Sequence, residues 1–309
     1  MKNMIAQSFG AMKEDGRLLF DEPLSRHCSF KIGGPADYMA IPASEREFTD
    51  LLIFALENQL PFFILGNGSN LLISDKGYRG LIIKSSGMNK LSRDELYISA
   101  YAGTVLSQAC SFARDHGLAG LEFASGIPGT VGGAVYMNAG AYGGEIKDRL
   151  YFSRCLRPDL PSLKSKNPVI YLKNVEHVFA YRKSSLQTNG LIILSSAFKL
   201  EQDSSESIAA RMDDLKQQRN SKQPMEMPSA GSVFKRPEGH FTGKLIDDCG
   251  LRGYRIGDAA ISEKHCGFIV NMGKASFRDV YDLIQHVRKT VKERFGVDLE
   301  TEIRLLGEL

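Results

Sequence analysis

The sequence predicts an α+β protein with two domains. At 309 residues and 34.2 kDa, the chain is longer than one hydrophobic core usually supports. Some segments space their apolar residues as helices do and open with a capping signal. Between them lie short apolar runs separated by glycines, which are typical of strands and turns. These three observations indicate helices and strands in both halves of the chain.

Composition and charge exclude several classes of protein. With 43% hydrophobic and 24% charged residues, the chain is neither disordered nor collagen-like nor a disulfide miniprotein. A net charge of +3 offers no electrostatic basis for binding nucleic acid or a membrane surface, although a local basic cleft for an anionic small molecule is compatible with it. The five cysteines form no C-x-x-C pair, and the N-terminus has no apolar signal segment. We therefore expect a cytoplasmic protein without membrane insertion.

In the first half, a helix is predicted from Ser44 to about Asn58, because the S-x-x-E string at 44–47 is a capping box. A second helix is expected from about Leu106 to His116. The residues before Ser44 are interpreted as a polar leader. The predicted strands are the apolar runs at 62–65, 71–73, 81–84 and 96–102. A glycine-rich loop at 66–70 follows the first of these strands directly.

The middle of the chain is rich in glycine. Residues 120–144 mix glycines with core residues, which predicts an ordered loop rather than a flexible linker. Three apolar runs then predict strands, and the polar stretch at 201–206 marks a domain boundary. The strands are expected at 169–172, 175–181 and 191–200. The predicted domains are therefore residues 1–200 and 201–309.

The last hundred residues begin with a predicted helix near 207–220. A stronger helix is expected from Ser276, which opens an S-x-x-D capping signal, to Gly296. The terminal segment alternates apolar and polar residues, which predicts a strand that carries Glu302 on its polar face. The apolar positions are Val297, Leu299, Ile303 and Leu305, and the polar ones are Asp298, Glu300, Glu302 and Arg304.

Two glycine loops that follow strands are compatible with phosphate binding, since glycine lets backbone N–H groups approach an anion closely. The dinucleotide fingerprint G-x-G-x-x-G fails at Leu71, and no Walker A string is present. For the loop at 126–133, the residues alone leave two interpretations open, a phosphate site or tight turns in a strand-rich domain. We therefore predict neither a standard dinucleotide fold nor a P-loop fold.

The polar candidates each have an ordinary structural interpretation. Ser232 lacks the G-x-S-x-G elbow, so its pattern favours a structural hydroxyl over a hydrolase nucleophile. Arg182, at the end of a predicted strand, is suited either to a carboxylate or to solvent. Glu302 is interpreted by default as a solvated strand residue. The six histidines have no metal-binding spacing, so no metal site is predicted.

A series of strings, in order along nearly the whole chain, resembles the flavoenzyme family of UDP-N-acetylmuramate dehydrogenases, also called UDP-N-acetylenolpyruvoylglucosamine reductases. Single loops of the first half also occur in other flavin oxidases, whereas the serine segment and the terminal glutamate are specific to the reductases. The strings are SFKIGG (29–34), LGNGSN (65–70), GIPGTVGG (126–133), NAGAYG (138–143), YRKS (181–184), SAGSVFK (229–235), GYRIG (253–257) and EIR (302–304).

The resemblance implies a two-part FAD-binding domain of the vanillyl-alcohol-oxidase type, made of two α+β subdomains, and a C-terminal α+β substrate-binding domain. It implies FAD as cofactor and NADPH as reductant. The implied reaction reduces UDP-N-acetylglucosamine enolpyruvate to UDP-N-acetylmuramate for peptidoglycan. The positions implied for FAD are Asn67, Gly68, Ser69, Asn70, Gly126, Gly129, Thr130 and Gly132.

The resemblance also implies three catalytic residues. Arg182 matches the arginine that would stabilise an enolate-like intermediate through the substrate carboxylate. Ser232 matches the proton donor, a general-acid role that needs no triad. Glu302 matches a residue that would assist Arg182, and the terminal strand is expected to bring it to the active site.

Two further positions, Lys222 and His265, are implied for substrate binding. In the better-known form of the family, asparagine stands in place of Arg236 and glutamine in place of His265. The expected insertion with a substrate-closing tyrosine is also absent, so the chain resembles a shorter type of the reductase. These departures leave open the contacts to uridine and diphosphate, including whether Lys222 and His265 contact the substrate. The sequence also gives neither the orientation of NADPH, for which no separate Rossmann segment is present, nor the oligomeric state.

Two alternatives to the reductase are compatible with the sequence. One is an FAD oxidase of a sugar or hydroxy acid on the same flavin fold, which would use oxygen and would have no use for Ser232. The other is a flavin-free nucleotide-binding or scaffold protein, which would be colourless after mild purification. A Ser232→Ala variant separates the reductase from the oxidase.

Overall fold

The computed structural model describes residues 1–308, and Leu309, the last residue of the predicted 201–309 domain, lies outside the described residues. The fold divides into two units. Unit 1 consists of Met1–Phe20, Tyr38–Asn67 and Gly80–Gln218. Unit 2 consists of Asp21–Asp37, Gly68–Arg79 and the chain from Arg219 onward. The boundary near residue 201, understood as a division between domains, stays a prediction.

Unit 1 combines helices with an antiparallel sheet of five strands. Its α-helices are Lys2–Ser8, Gly10–Glu14, Glu45–Glu57, Leu106–Asp115, Val131–Tyr136, Leu160–Leu163 and Leu186–Asn189. In sheet order, the five strands are Val169–Lys173, Leu150–Leu156, Ile192–Lys199, Tyr97–Tyr101 and Leu91–Asp94. Short 3-10 helices are Ser85–Gly87, Glu122–Ala124, Ile146–Asp148 and Asn174–His177.

The chain also contains two smaller strand pairings and a four-stranded sheet. Gly140–Ala141 pairs with Gly144–Glu145, and Leu118–Ala119 pairs with Glu201–Gln202. A four-stranded sheet has the order Leu18–Pro23, Pro35–Ala40, Tyr78–Lys84 and Phe62–Leu65. The last two of these strands run parallel.

Two hydrophobic clusters form the core of unit 1. Ile192 and Leu194 pack into a cluster with the helix Glu45–Glu57, whereas Ile193 packs into a second cluster. Because successive side chains of a strand point to opposite faces, the strand Ile192–Lys199 supplies both clusters. The five-stranded sheet is therefore buried on both faces along this strand.

Unit 2 is built around a four-stranded antiparallel sheet and one long helix. The sheet has the order Ser229–Ser232, Phe268–Asn271, Ala259–Ile261 and Arg255–Ile256. The helices are Thr242–Asp248 and Phe277–Phe295, with a 3-10 turn at Leu24–His27. The short strand Arg304–Leu306 pairs in parallel with Leu71–Ile73. The helix Ser205–Lys222 contains the point, between Gln218 and Arg219, at which the chain leaves unit 1.

The two helices with predicted capping signals are confirmed. Ser44 caps the helix Glu45–Glu57 by accepting the N–H of Glu47 at 3.2 Å. Ser276 and Asp279 form a complete capping box, and Gly296 ends the helix in the left-handed region at φ 70°. These boundaries depend on contacts within one helical turn, which a sequence pattern records directly.

Several predicted elements are wrong. Residues 175–181 are not a strand, because Asn174–His177 is a 3-10 helix and Val178 is left-handed at φ 44°. The polar leader contains the helices Lys2–Ser8 and Gly10–Glu14. The stretch at 120–144, predicted as a loop, contains the helix Val131–Tyr136.

The predicted terminal strand shrinks to Arg304–Leu306, so Glu302 precedes the strand that was expected to carry it. The predicted alternation ends after Ile303, which is buried, because Leu305 is exposed and Leu306 is buried instead.

Candidate active site

The first glycine loop begins in unit 1 at the end of the strand Phe62–Leu65. A Cβ on Gly66 would lie 2.6 Å from the Oγ1 of Thr130, so only glycine permits this approach. The Asn67 side chain donates its Nδ2 hydrogen to the Gly129 carbonyl at 3.3 Å. Unit 1 therefore brings together two positions that the sequence predicted for FAD, Asn67 and the loop at 126–133.

The second glycine loop, residues 126–133, is held in place by hydrogen bonds within unit 1. Thr130, which is 2% exposed, caps the helix Val131–Tyr136 by accepting the N–H of Gly133 at 3.3 Å. The Gly129 carbonyl accepts the N–H of Leu106 at 3.0 Å, and Gly132 donates its N–H to the Ala102 carbonyl at 2.9 Å. Gly129 has φ 149°, a conformation that favours glycine.

Parts of the same loop are accessible to solvent. Pro128 and Gly133 are exposed, and Gly126 and Gly129 are half-buried. A fixed surface of glycine backbone with no Cβ atoms is what a phosphate or a flat ring needs for close approach. The glycines of this loop therefore fit the close approach of a group such as FAD, and the assignment of Gly126, Gly129, Thr130 and Gly132 to FAD stays a prediction.

Arg182 lies in a tight hairpin turn of unit 1, not at the end of a strand as predicted. Ala180 and Lys183 exchange two backbone hydrogen bonds of 3.1 and 3.0 Å, which leaves Tyr181 and Arg182 at the tip. Arg182 is left-handed at φ 55°. Its Nη2 donates to the Gly140 carbonyl at 2.9 Å, and its guanidinium lies 4.9 Å from the Tyr181 ring centroid.

The rest of the first glycine loop belongs to unit 2. Gly68 is left-handed at φ 61°, and a Cβ there would lie 2.4 Å from the His27 carbonyl oxygen. Its own carbonyl accepts the N–H of Ser29 at 3.2 Å. Half-buried Ser69 follows it, and Asn70 ends the loop. The strings around residues 29 and 68 thus pack on each other, which explains why glycine is required at 68.

Asn70 connects this loop to the segment that carries Glu302. Its Nδ2 donates to the Glu302 carbonyl at 3.1 Å, and its own carbonyl accepts the N–H of Arg304 at 3.0 Å. Unit 2 therefore holds a predicted FAD position and a predicted catalytic residue side by side, although they are 232 residues apart in sequence.

Ser232 and Glu302 also meet in unit 2. The carbonyl of Val233, next to Ser232, accepts the N–H of Glu302 at 2.7 Å. Ser232 ends the strand Ser229–Ser232, whose pairing with Phe268–Asn271 shifts register along its length. Gly231, left-handed at φ 78°, lies within this irregular stretch. The predicted serine loop is therefore an irregular strand with Ser232 half-buried at its end.

His265 lies close to Ser232. A Cβ on Gly267 would lie 2.9 Å from the His265 Cε1 and 3.8 Å from the Ser232 Oγ, so glycine leaves room for both side chains. The Nδ1 of His265 accepts the N–H of Gly267 at 3.1 Å. Burial lowers the pKa of His265, which favours the neutral ring that this acceptor role requires.

Lys222 and Arg236 are exposed. Lys222 is the last residue of the helix Ser205–Lys222. The guanidinium of Arg236 stacks 3.9 Å from the centroid of the Phe241 ring. The part of the chain that the structure describes contains no cluster of His, Cys, Asp or Glu side chains suited to a metal ion. Within residues 1–308, no helix is long and apolar enough to cross a membrane.

The sequence interpretation missed Asn138. This residue is fully buried, left-handed at φ 43°, and hydrogen-bonded to the hairpin of Arg182 through the Ala180 carbonyl at 3.1 Å. Its only signal in the sequence is its place in the NAGAYG string, which by itself indicates no chemistry.

Family models match two parts of the chain. A model described as an FAD binding domain matches residues 36–159. A model described as the C-terminal domain of UDP-N-acetylenolpyruvoylglucosamine reductase matches residues 223–306. The matches, together with the mixed helices and strands, confirm the predicted α+β fold with an FAD-binding domain ahead of a C-terminal domain.

Curated relatives match over the full length. The UDP-N-acetylenolpyruvoylglucosamine reductase of Caldanaerobacter subterraneus subsp. tengcongensis is 47% identical over 308 residues, covering 100% of both chains. That of Staphylococcus epidermidis is 43% identical over 307 residues, covering 99% of this chain and 98% of the relative. The crystal structure of the reductase from Thermus caldophilus superimposes with a TM-score of 0.77 at 34% identity, covering 94% of this chain and 98% of that one.

Proposed function

The chain belongs to the family of UDP-N-acetylenolpyruvoylglucosamine reductases, and from that premise we propose which of its residues carry out the reaction. It is an FAD-containing oxidoreductase that uses NADPH to reduce UDP-N-acetylglucosamine enolpyruvate to UDP-N-acetylmuramate in peptidoglycan synthesis. The proposal is carried by the hydrogen bond between Val233 and Glu302, which puts the segments of Ser232 and Glu302 next to each other in unit 2. We place the reaction in the cytoplasm, in keeping with cysteines that form no disulfide within residues 1–308.

The two glycine loops would hold FAD. In unit 1, Asn67 and the loop of Gly126, Gly129, Thr130 and Gly132 offer a glycine-rich backbone that is held in place by the bond from Asn67 to the Gly129 carbonyl. In unit 2, Gly68, Ser69 and Asn70 offer a second segment, which is held by the bond from Asn70 to the Glu302 carbonyl. When bound, FAD supplies the hydride that it takes from NADPH.

Arg182 would bind the carboxylate of the enolpyruvyl group. Addition of hydride at C3 of the substrate moves negative charge onto C2 and this carboxylate, so a fixed cation lowers the energy of the transition state. Arginine suits this role because it stays charged at every working pH and offers several N–H donors in one plane. The turn holds its guanidinium through the Gly140 carbonyl.

Ser232 would donate the proton that C2 receives. The hydroxyl is half-buried at the end of an irregular strand, close to the neutral ring of His265. A serine can act as a general acid at a carbanion, because that carbon is far more basic than the alkoxide it leaves. The reaction therefore needs no acid of unusual pKa at this position.

Glu302 would assist at the substrate carboxylate, and Lys222 and His265 would bind other parts of the substrate. Glu302 is fixed through both sides of its backbone, because its N–H bonds to Val233 and its carbonyl bonds to Asn70. Lys222 presents an exposed ammonium that can meet a diphosphate or carboxylate. His265 presents a ring whose Nδ1 is already occupied by the Gly267 N–H.

The reaction is tested by an anaerobic absorbance trace at the flavin bands. NADPH should bleach the flavin, and UDP-N-acetylglucosamine enolpyruvate added next should restore its colour. Bleaching without recovery would support the flavin domain but show that a different substrate accepts the hydride. If no flavin spectrum appears even when FAD is supplied, the assignment is wrong.

The role of Ser232 is tested in the same trace with a Ser232→Ala variant. We expect normal bleaching by NADPH and a recovery slowed about 10²- to 10⁴-fold, the usual contribution of a general acid. Ser229→Ala, the same change at the start of the same strand, is the matched control and should recover at the wild-type rate. Equal recovery rates in the two variants would exclude Ser232 as the proton donor.

A further inference from the structure

We propose that Asn138 is a positioning residue, which holds the Arg182 hairpin so that the guanidinium meets the substrate carboxylate. The proposal rests on the role proposed above for Arg182 and adds a residue to that site. Asn138 itself contacts neither the substrate carboxylate nor the flavin. It acts only through the hairpin.

Asn138 makes three side-chain hydrogen bonds although it is fully buried. Its Oδ1 accepts the N–H of Lys147 at 3.0 Å. Its Nδ2 donates to Glu145 Oε2 and to the Ala180 carbonyl, both at 3.1 Å. A buried amide with its donors and acceptor engaged is held in one orientation, since rotation would leave polar atoms without partners in the core.

The Ala180 carbonyl is the point at which Asn138 meets the hairpin. The same oxygen accepts the N–H of Lys183 at 3.0 Å, which is one of the two bonds that close the turn. A carbonyl oxygen has two lone pairs, so it can accept both hydrogens. The Asn138 amide therefore anchors the base of the turn whose tip carries Arg182.

Neighbours of Asn138 in sequence hold the other parts of the hairpin. The Gly140 carbonyl accepts the Arg182 Nη2 hydrogen at 2.9 Å, and the Tyr136 carbonyl accepts the Ser184 hydroxyl at 2.7 Å. Gln187 donates to both the Tyr136 and the Arg182 carbonyls, at 3.0 and 3.2 Å. The segment 136–140 is thus a platform for the turn, with buried Asn138 at its centre.

Asparagine suits this position for two reasons. The backbone of Asn138 is left-handed at φ 43°, which asparagine tolerates better than most residues with a Cβ. Its amide also supplies donors and an acceptor together. An aspartate of the same shape would put a carboxylate oxygen in place of the Nδ2 group. That oxygen would face two acceptors, the Glu145 carboxylate and the Ala180 carbonyl.

The test is an Asn138→Gly variant of the flavin-loaded enzyme, because glycine adopts the left-handed backbone without strain and removes the side chain that carries the amide. We expect reduction by NADPH within about twofold of wild type and reoxidation by UDP-N-acetylglucosamine enolpyruvate about 10- to 100-fold slower, the usual cost of a misplaced group. Asn58→Ala is the control, since Asn58 also donates to a backbone carbonyl of unit 1, that of Phe54, away from the hairpin. It should behave as wild type.

A double-mutant cycle separates positioning from general stability. If Asn138 acts through Arg182, Asn138→Gly should slow reoxidation in the wild type and have no further effect in an Arg182→Ala background. An equal effect in both backgrounds, or wild-type reoxidation in the single variant, overturns the proposal. If Arg182→Ala itself reoxidises at the wild-type rate, the proposed role of Arg182 fails first.

A second variant keeps the test decisive if Asn138→Gly does not fold. Asn138→Asp preserves size and the acceptor for Lys147 but removes the donors. Its reoxidation should be slow at neutral pH and recover relative to wild type as the pH falls, because a protonated carboxyl regains one donor for the Ala180 carbonyl. A pH profile parallel to that of wild type would overturn the proposal.

Discussion

At the scale of single residues, the Arg182 hairpin depends on two polar residues with left-handed backbones, one at its tip and one bonded to its base. Arg182 and Asn138 have φ values of 55° and 43°, conformations that persist only where the surroundings enforce them. Resemblance to a family predicted that Arg182 matters, but no local pattern predicts its turn. The hydrogen bond from Asn138 to Ala180 joins residues 42 positions apart, and such a contact has no signature in the residues between them.

Gly140 is the position where this hairpin is most sensitive to an added atom. A Cβ at Gly140 would lie 2.7 Å from the Gly144 carbonyl oxygen, 2.8 Å from Glu145 Cγ and 3.3 Å from Arg182 Nη1. Because the first of these atoms belongs to the backbone, it cannot move aside cheaply. We predict that Gly140→Ala lowers kcat/KM for the enolpyruvyl substrate about 10-fold or more, since a small displacement of a positioned group is costly.

Steady-state kinetics with both substrates varied would measure this effect, and KM for NADPH should change little. Gly10→Ala is the matched control, because a Cβ there meets nothing within 4 Å and its φ is not in the left-handed region. That variant should keep wild-type kinetics. Unchanged kcat/KM in Gly140→Ala would show that the guanidinium does not depend on contact with the Gly140 carbonyl.

At the scale of elements, local signals predicted some segments well and misled in others. The helix Phe277–Phe295 was predicted because its capping box and apolar spacing lie within the helix itself. The strand Leu150–Leu156 was missed because Ser153 and Arg154 interrupt its apolar pattern. In the structure, Ser153 bonds to Ser196 at 2.9 Å and Arg154 forms a bidentate pair with Glu45, so distant partners compensate for polar residues in the sheet.

The helix Phe277–Phe295 is also capped by a residue from a distant part of the chain, Asp75. Both carboxylate oxygens of Asp75 accept the N–H of Phe277, at 3.1 and 3.0 Å. The bond satisfies a helix N-terminal donor and places negative charge at the positive end of the helix dipole. We predict that Asp75→Ala lowers the free energy of unfolding by about 1 kcal/mol.

Urea denaturation at neutral pH would measure the loss. Asp282→Ala removes an exposed carboxylate from the same helix, paired with Arg278 at 2.8 Å, and serves as the control. Because an exposed pair of this spacing contributes little, that variant should lose less than about 0.5 kcal/mol. If the two variants lose equal amounts, the contact with Phe277 does not stabilise the helix.

At the scale of the whole molecule, the division into units depends on contacts that no stretch of sequence reveals. Segments 21–37 and 68–79 belong to unit 2 although they lie within the first quarter or so of the chain. They are held there by bonds such as that of Asn271 Nδ2 to the Phe30 carbonyl at 3.1 Å, across 241 positions. Length and a polar stretch predicted two domains, but a discontinuous unit requires knowledge of the tertiary contacts.

The stability of the folded chain should depend on pH through His177, which is fully buried. Its Nδ1 faces the Lys173 carbonyl at 2.9 Å, and its Nε2 faces the Ser153 hydroxyl at 3.0 Å, which suits a neutral ring that donates from Nδ1 and accepts at Nε2. Burial lowers the pKa of His177, chiefly because the charged ring would lose its hydration. The unfolded chain therefore binds a proton at a higher pH than the folded chain does.

It follows that the free energy of unfolding is largest above the unfolded pKa of about 6.5 and falls as the pH is lowered toward the folded pKa. Carboxylates whose pKa is lowered by arginine, such as Glu47 beside Arg17, contribute stability that is lost only below about pH 5, so the two effects occupy different pH ranges. We predict that His177→Gln, which keeps a donor and an acceptor but does not titrate, reduces the slope of unfolding free energy against pH between about pH 5 and 6.5 by up to about 1.4 kcal/mol per pH unit. Urea denaturation across that range would measure both slopes.

Above about pH 7 the unfolding free energies of the two proteins should change with pH in parallel, so any difference between them there is the cost of the substitution itself and not of titration. Equal slopes below that pH would show that His177 does not set the acid sensitivity.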